Sequence, residues 1–319
     1  MRQTKIAVDV MGCDLGPTVA IQGAIQAAEA FPDVQLILVG DQHVIQKELA
    51  STTHGFEIIH APEVIGFDEQ PTVAIRQKKD ASLVVGLKHL KAGGADGFVT
   101  AGSTGALLVG VFSFLKRRPG IQRPALCALL PTKKGFTLLL DCGANAEVKP
   151  SYLLQFGQLG AEYMTNCMGI QSPRVGLVNV GTEKEKGTPT LQEAYGLLEN
   201  SDLNFIGNIE GRDIPAGEAD VVVCDGLVGN VVLKLTEGLS KTLMGMIKEE
   251  LMSSWISKLG AVLAKGAFGR LKKRFDYREV GGAPFLGLET LVVKAHGSSD
   301  ALAFKNAIRQ CIMYHKQTQ

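Results

Sequence analysis

The stretch Gly97-Phe-Val-Thr-Ala-Gly-Ser-Thr-Gly-Ala-Leu-Leu-Val-Gly-Val-Phe-Ser-Phe-Leu115 carries no charge and runs straight into Lys116, Arg117 and Arg118. An uncharged run with a basic flank is what a membrane-crossing helix requires. Its interior, Thr100-Ala-Gly-Ser-Thr-Gly105, is instead a polar glycine turn, which would leave backbone groups unpaired at mid-depth in a bilayer. The stretch therefore reads as a buried strand, a turn and a helix opening at Gly105. The same succession recurs along the chain, so this reading decides the fold class.

Working outward, strands are predicted at Lys5–Val10, Val34–Val39, Phe56–His60, Gly97–Thr100, Ala125–Leu130, Phe136–Leu140, Arg174–Val180, Asn204–Ile206, Ala219–Cys224 and Leu291–Lys294. Most are continuous Val/Ile/Leu runs, apolar on both faces, as in a parallel sheet covered by helices. Helices are predicted at Pro17–Ala30, Thr72–Lys91, Gly105–Lys116, Ser151–Met168, Thr188–Glu199, Gly226–Met252 and Ser298–His315. The expectation is an α/β fold, mostly parallel, with helices on both faces. No internal repeat, low-complexity tract or linker divides residues 1–319, which are expected to form a single domain.

Composition narrows the function classes. With 319 residues, 45% of them hydrophobic, the chain can bury one large core or two modest ones. Its 33 Lys and Arg nearly cancel 32 Asp and Glu, so no global field points to nucleic acid. Six Cys are scattered without CxxC or Cys/His ligand spacing, which argues against zinc and disulfides and fits a reducing cytosol. Asp9 and Asp14 interrupt what would have to be the apolar core of an export signal, and no export is expected.

In open α/β sheets ligands sit beyond the carboxyl ends of the strands. Here those positions read Asp9-Val-Met-Gly-Cys-Asp14, Ala101-Gly-Ser-Thr-Gly105, Asp141-Cys-Gly-Ala-Asn145, Asn179-Val-Gly-Thr-Glu183, Gly207-Asn-Ile-Glu-Gly-Arg-Asp213, Asp225-Gly-Leu-Val-Gly-Asn230 and His296-Gly-Ser-Ser-Asp300. Any one alone is ordinary turn and cap chemistry; seven at equivalent places point to a shared pocket. Glycines followed by helix starts expose N–H groups and the positive end of a dipole, which suits phosphate. Ser103-Thr104-Gly105 is the best such start. Lys184, Lys186 and Arg212 read either as countercharge or as solvated loop residues. No P-loop, GxGxxG, GxSxG or HExxH motif occurs, which removes nucleotide hydrolysis, a standard dinucleotide site, a serine hydrolase and a zinc protease.

The strings Asp9-Val-Met-Gly12, Asp14-Leu-Gly-Pro17, Ala101-Gly102, Asn179-Val-Gly181, Phe205 to Asp213, Ala219 to Gly226, Gly229-Asn230 and Lys294-Ala-His-Gly-Ser-Ser299 closely resemble the PlsX family, the acyl-ACP:phosphate transacylases. The likeness keeps its order from Lys5 to about Ile308. It implies a fold similar to phosphotransacetylase and to the isocitrate and isopropylmalate dehydrogenases, a homodimer, and loose attachment to the cytoplasmic membrane face. The implied substrates are inorganic phosphate and a long-chain acyl group on acyl carrier protein or CoA, with a downstream membrane glycerol-3-phosphate acyltransferase using the product. Two departures stand out: Cys13 and Ser103, where the family usually has Gly and Asn.

Phosphate is already an anionic nucleophile near neutral pH and a pantetheine thiolate leaves well, so direct displacement needs neither a protein nucleophile nor a cofactor or metal. Gly12, Ser103, Thr104, Gly105 and Ser298, with Lys186, Arg212 and Asp213, are expected to hold phosphate and substrate. Asn145, Asn179 or Asn230 would donate to the carbonyl oxyanion, with Asp14, Asp141, Asp213 and Asp225 orienting donors or moving a proton. His296 reads as a structural hydrogen-bonder or as a member of the anion site. A two-step route through Cys13 or Cys142 is the less favoured mechanism, since neither has an adjacent base in sequence.

Between Trp255 and Phe275 lie six cations and no acid, with Leu259, Leu263 and Phe268 as apolar anchors and Lys272 and Lys273 beside them. That is the pattern of a helix in an anionic membrane interface, or of one packed on its own protein or a dimer mate. Gly260, Gly266 and Gly269 point to a break, hence a helical hairpin at about 240–278. Three rivals remain: a short-chain phosphotransacetylase acting on acetyl-CoA, a decarboxylating dehydrogenase of the same fold, and a membrane scaffold. The dehydrogenase would need an arginine-rich strand–helix segment, which this sequence lacks; the scaffold would have no use for seven polar strand ends.

Overall fold

The computed structural model describes residues 3–50, 52, 54–274 and 277–318. In chain order the elements are β1 (Lys5–Asp9), α1 (Pro17–Ala30), β2 (Gln35–Gly40), α2 (Gln42–Leu49), β3 (Glu57–His60), α3 (Pro71–Gln77), α4 (Ser82–Lys91), β4 (Gly97–Thr100), α5 (Thr104–Phe114), β5 (Ala125–Thr132), β6 (Gly135–Leu140) and α6 (Pro150–Met168). They continue with β7 (Val175–Val178), α7 (Pro189–Glu199), β8 (Phe205–Ile209), α8 (Asp213–Ala216), β9 (Val221–Val223), α9 (Gly226–Met252), α10 (Trp255–Leu263), α11 (Lys265–Arg274), α12 (Tyr277–Val280), β10 (Ala283–Leu286), β11 (Leu291–Lys294) and α13 (Ala301–Thr318). The 97–115 stretch is indeed strand, turn and helix. No described helix is long and apolar enough to cross a membrane.

The chain divides into two compact units, Met1–Cys127 with Glu162–Gln171 and Arg278–Gln319, and Ala128–Ala161 with Ser172–Tyr277. The boundary falls inside β5 and inside α6, so no linker composition announces it in the sequence.

In the first unit the strand order is β3-β2-β1-β4-β11-β10-β5. β1 runs parallel to β2 and β4, and β4 parallel to β11; β10 is antiparallel to β11 and β5. Strand residues alternate between faces. Ile6, Val8, Leu38, Val99 and Val293 pack with Ile21 of α1 and with Phe304 and Ile308 of α13 in one buried cluster. Phe98, on the other face of β4, meets α4, where a Cβ on Gly86 would lie 2.3 Å from its ring. On the first face α1 and α13 approach so closely that a Cβ on Gly23 would lie 2.4 Å from Phe304 Cβ and 2.8 Å from the Ala301 carbonyl.

The second unit has the order β5-β6-β9-β7-β8, with β9 parallel to both β6 and β7, and β7 parallel to β8. α6 lies tight on this sheet, since a Cβ on Gly160 would meet Val221 at 2.5 Å.

Besides the short helices α8 and α12, three features differ from expectation. Thr72–Lys91 is two helices, because the 78–81 turn is drawn onto Glu63: the Ser82 N–H donates to the Glu63 carbonyl at 3.0 Å, and Glu63 bridges Ala81. α2 went unpredicted although Asp41 caps it, accepting from His43 N–H at 2.8 Å. β10, four residues including Pro284, was also missed. Gly23→Ala is predicted to overpack the α1–α13 contact and destabilise the fold by about 1–3 kcal/mol. Urea unfolding should show a lower midpoint at unchanged slope; an unchanged midpoint would contradict the packing described.

Candidate active site

In the first unit three of the predicted loops meet at the carboxyl ends of β1, β4 and β11. β1 ends on Asp9, only 1% exposed. Its Oδ1 accepts the Met11 N–H at 3.0 Å and its Oδ2 the Thr100 hydroxyl at 2.7 Å. Burial raises the Asp9 carboxyl above the ordinary range, while hydrogen bonds from Thr100, Ser82, Met11 and Gly12 oppose the rise. Thr100 Oγ1 in turn accepts the Gly102 N–H at 3.0 Å, tying the 9–14 loop to the 101–105 turn. The contact admits no side chain at position 12, where a Cβ would sit 2.6 Å from Gly102 Cα.

Ser103 then caps α5, its hydroxyl accepting from Ala106 N–H at 3.4 Å. The first N–H groups of α5, at Thr104 and Gly105, have no carbonyl within the helix and stand at its positive end. The third loop is pinned by Cys13 and Asp14. The Cys13 thiol donates to the carbonyls of Gly297 and Ser299 at 3.3 and 3.4 Å, and the Asp14 N–H donates to the Gly297 carbonyl at 2.9 Å. His296 Nδ1 accepts the Ser298 N–H at 3.2 Å and lies 2.8 Å from Ser298 Oγ. A backbone N–H can only donate, so the neutral ring carries its proton on Nε2. The structure thus gathers Gly12, Asp14, Ser103, Thr104, Gly105, His296 and Ser298.

In the second unit the loops after β6 and β9 interlock. Asp141, fully buried, accepts from the backbone and side-chain amides of Asn145 and from Ala144 N–H. Asp225 caps α9 through Val228 N–H at 2.9 Å, and the Gly226 N–H donates to the Asn145 carbonyl at 2.8 Å. At Gly229 a Cβ would fall 1.8 Å from the Asp141 carbonyl oxygen, so only glycine fits. Asn230, one residue on, is exposed and lies against Gly143.

The loops after β7 and β8 form a second group. Asn179 donates to the Lys186 carbonyl at 3.0 Å and accepts from Val180 N–H at 2.8 Å; Asn208 donates to the Glu183 carbonyl at 2.8 Å. Asp213 accepts from Glu210 N–H at 2.8 Å. Lys186 and Arg212 are paired with Glu183 and Glu210. Asn145 and Asn179 therefore each engage an amide N–H in holding their own loops.

Several expectations change. Cys13 does not protrude toward a ligand: it is 7% exposed, its thiol turned onto the His296 loop, and burial raises its pKa. Cys142 is likewise buried and donates to the Leu139 carbonyl at 3.2 Å. Neither thiol is presented as a nucleophile. Asp9 and Thr100 organise the loops without standing out in the sequence, their only signal being a polar residue that closes an apolar strand, while Asp141, expected to orient donors, accepts from both amides of Asn145. Among the described residues no three His, Cys, Asp or Glu are grouped to hold a metal.

Of the segment expected at the membrane, Leu259 and Leu263 are 57% and 83% exposed, whereas Phe268 is half-buried. The side chains of Lys272 and Lys273, and residue Phe275, lie outside the described residues. α10 is in contact with α9. The breaks fall at Ser253-Ser254, where Ser254 caps α10, and at Ala264, rather than at the three glycines.

Residues 4–318 match a family described as "Fatty acid synthesis protein". A phosphate acyltransferase of Clostridium tetani (strain Massachusetts / E88) is 46% identical over 98% of this chain and 94% of its own length. One from Alkaliphilus oremlandii (strain OhILAs) is 47% identical over 97% and 93%. Among solved structures, a phosphotransacetylase from Streptococcus pyogenes superposes with a TM-score of 0.65 at 18% identity, covering 98% of this chain and 94% of that one, a likeness of fold alone. The chain belongs to the PlsX family of phosphate acyltransferases and is an acyltransferase.

Proposed function

We propose that the enzyme transfers a long-chain fatty acyl group from acyl carrier protein, or CoA, to inorganic phosphate, giving an acyl phosphate for phosphatidic acid and phospholipid synthesis. The observation that carries the phosphate half is the α5 start, which follows a turn held by Asp9 and Thr100 through Gly102, next to a 12–14 loop to which the 297–299 backbone is pinned. An anion there meets backbone dipoles that need no reorganisation.

In the proposed reaction a phosphate oxygen attacks the thioester carbonyl. The tetrahedral intermediate collapses, the C–S bond breaks, and the thiolate leaves with the electron pair and takes up, through solvent, the proton that the attacking phosphate gives up, while the His296 Nε2–H serves as a hydrogen-bond donor to the anion. Asp14, beside Gly297, orients the His296 loop. Within the second unit Asn230 is the exposed amide suited to an oxyanion, Asn145 and Asp225 fix the α9 start, and Asn179 and Asp213 fix their loops. Lys186 and Arg212 keep their proposed part as countercharge, released from Glu183 and Glu210.

The long-chain reading is supported by α10, where Trp255, Ile256, Leu259, Val262 and Leu263 are exposed beside Lys258. Such a helix lies in an interface and releases an acyl phosphate next to a bilayer acyltransferase. This makes the enzyme cytoplasmic and peripheral to the inner face of the cell membrane. For the homodimer, the support is α9, with Leu227, Val231, Leu235, Leu239 and Leu243 exposed at intervals of four residues along one face.

Incubation with palmitoyl-ACP and phosphate should yield hydroxylamine-trappable acyl phosphate; turnover confined to acetyl-CoA would replace this reading with the short-chain one. Gly12→Ala should lower kcat/KM by about 100-fold by displacing the 101–105 turn, with near-parental rates as the contradicting result. Co-sedimentation with anionic vesicles should weaken by about tenfold when Leu259 and Leu263 both become Glu, and unchanged binding in the folded variant would remove the membrane role.

A further inference from the structure

Lys294, the last residue of β11, is 8% exposed. A buried ammonium is costly unless its surroundings use the charge. Its position is set by register: Lys294 lies opposite Thr100 of β4, and the Ala295 N–H donates to the Thr100 carbonyl at 2.8 Å. From there Nζ reaches under the neighbouring turn and donates to the Ala101 carbonyl at 3.1 Å and to its own neighbour, the Ala295 carbonyl.

The peptide unit joining Ala101 to Gly102 is therefore clamped at both ends. Its carbonyl is held by Lys294 and its N–H donates to Thr100 Oγ1 at 3.0 Å. With that plane fixed, the next N–H groups, from Ser103 into α5, take the one direction the chain allows. A cation on the carbonyl also polarises the peptide, strengthening its donor end. Ser103 follows Ala101 by only two residues, at most about 7 Å of chain beyond the carbonyl that Lys294 holds. The intervening path is buried backbone, where charge is screened less than at the surface. The charge adds to the positive end of the α5 dipole.

We propose that Lys294 is the positioning residue of the phosphate site: its ammonium fixes the Ala101–Gly102 peptide so that the following N–H groups face the anion, and it adds positive charge behind them. This rests on the reading of the 101–105 turn as the phosphate cradle. It assigns Lys294 no contact with phosphate and no proton transfer.

Three variants separate charge, hydrogen bond and fold. Lys294→Gln keeps a donor for the Ala101 carbonyl but no charge, Lys294→Met removes both, and Lys294→Arg keeps the charge. Calorimetric titration with inorganic phosphate, without acyl donor, reads binding alone; steady-state kinetics reads the KM for phosphate and for acyl carrier separately. Lys294→Gln is predicted to raise the phosphate Kd and KM by about tenfold or more while the acyl-carrier KM stays within about twofold. Lys294→Met should be worse and Lys294→Arg should recover part of the loss. If Lys294→Met does not fold, Lys294→Gln still decides the matter. An unchanged phosphate Kd in folded Lys294→Gln overturns the proposal, as does an equal rise in both KM values. Should the parent enzyme bind phosphate yet form no acyl phosphate, the proposed reaction fails while Lys294 is still judged by the binding data. A parent enzyme that binds no phosphate refutes both.

Discussion

A carboxylate removed from water organises the edge of the first unit's sheet. Asp9 closes β1 with almost no exposed surface, and a buried carboxylate must be surrounded by donors. It takes them from two other segments, Thr100 at the end of β4 and Ser82 at the start of α4, as well as from its own loop. Each hydrogen bond to such a group contributes about 1.5–3 kcal/mol. The cost of burying Asp9 is thereby offset by ordering the loops that follow β1 and β4. Thr100 passes the constraint on to Gly102, and Lys294 closes the same peptide from the other side. A parallel sheet brings strand ends together; this small polar network converts the neighbourhood into fixed geometry.

The second unit solves a similar problem with glycine. Gly226 and Gly229 open α9 against the Asp141 to Asn145 loop at distances no side chain tolerates, and Asp141 gathers that loop from within. In both units polar side chains serve largely to hold backbone. Such an architecture suits a reaction whose nucleophile and leaving group are already competent. The inward-turned thiols of Cys13 and Cys142 point the same way, toward positioning rather than covalent catalysis.

Much of this was legible in the sequence because it is written in local patterns. Continuous apolar runs identified the parallel strands, and the Thr100 to Gly105 turn separated a strand–turn–helix from a membrane span. The polar glycine loops fell where strands end. What remained hidden depends on contacts distant in sequence. Glu63, pairing with the 78–81 turn, divides a stretch that reads as one helix. Nothing local shows that Asn145 and Asn179 are engaged by their own loops, or that Lys294 is buried beneath Ala101. From α9 to α11 the apolar and basic pattern was plain, but a serine pair and Ala264 set the breaks, not the glycines.

The central claim is that phosphate is bound by the α5 start. A crystal structure of the enzyme at saturating inorganic phosphate tests it most directly. The account predicts tetrahedral density within hydrogen-bonding distance of the backbone nitrogens of residues 103–105, with the Ala101 carbonyl still on Lys294. Phosphate bound only elsewhere, with that turn empty, would contradict it.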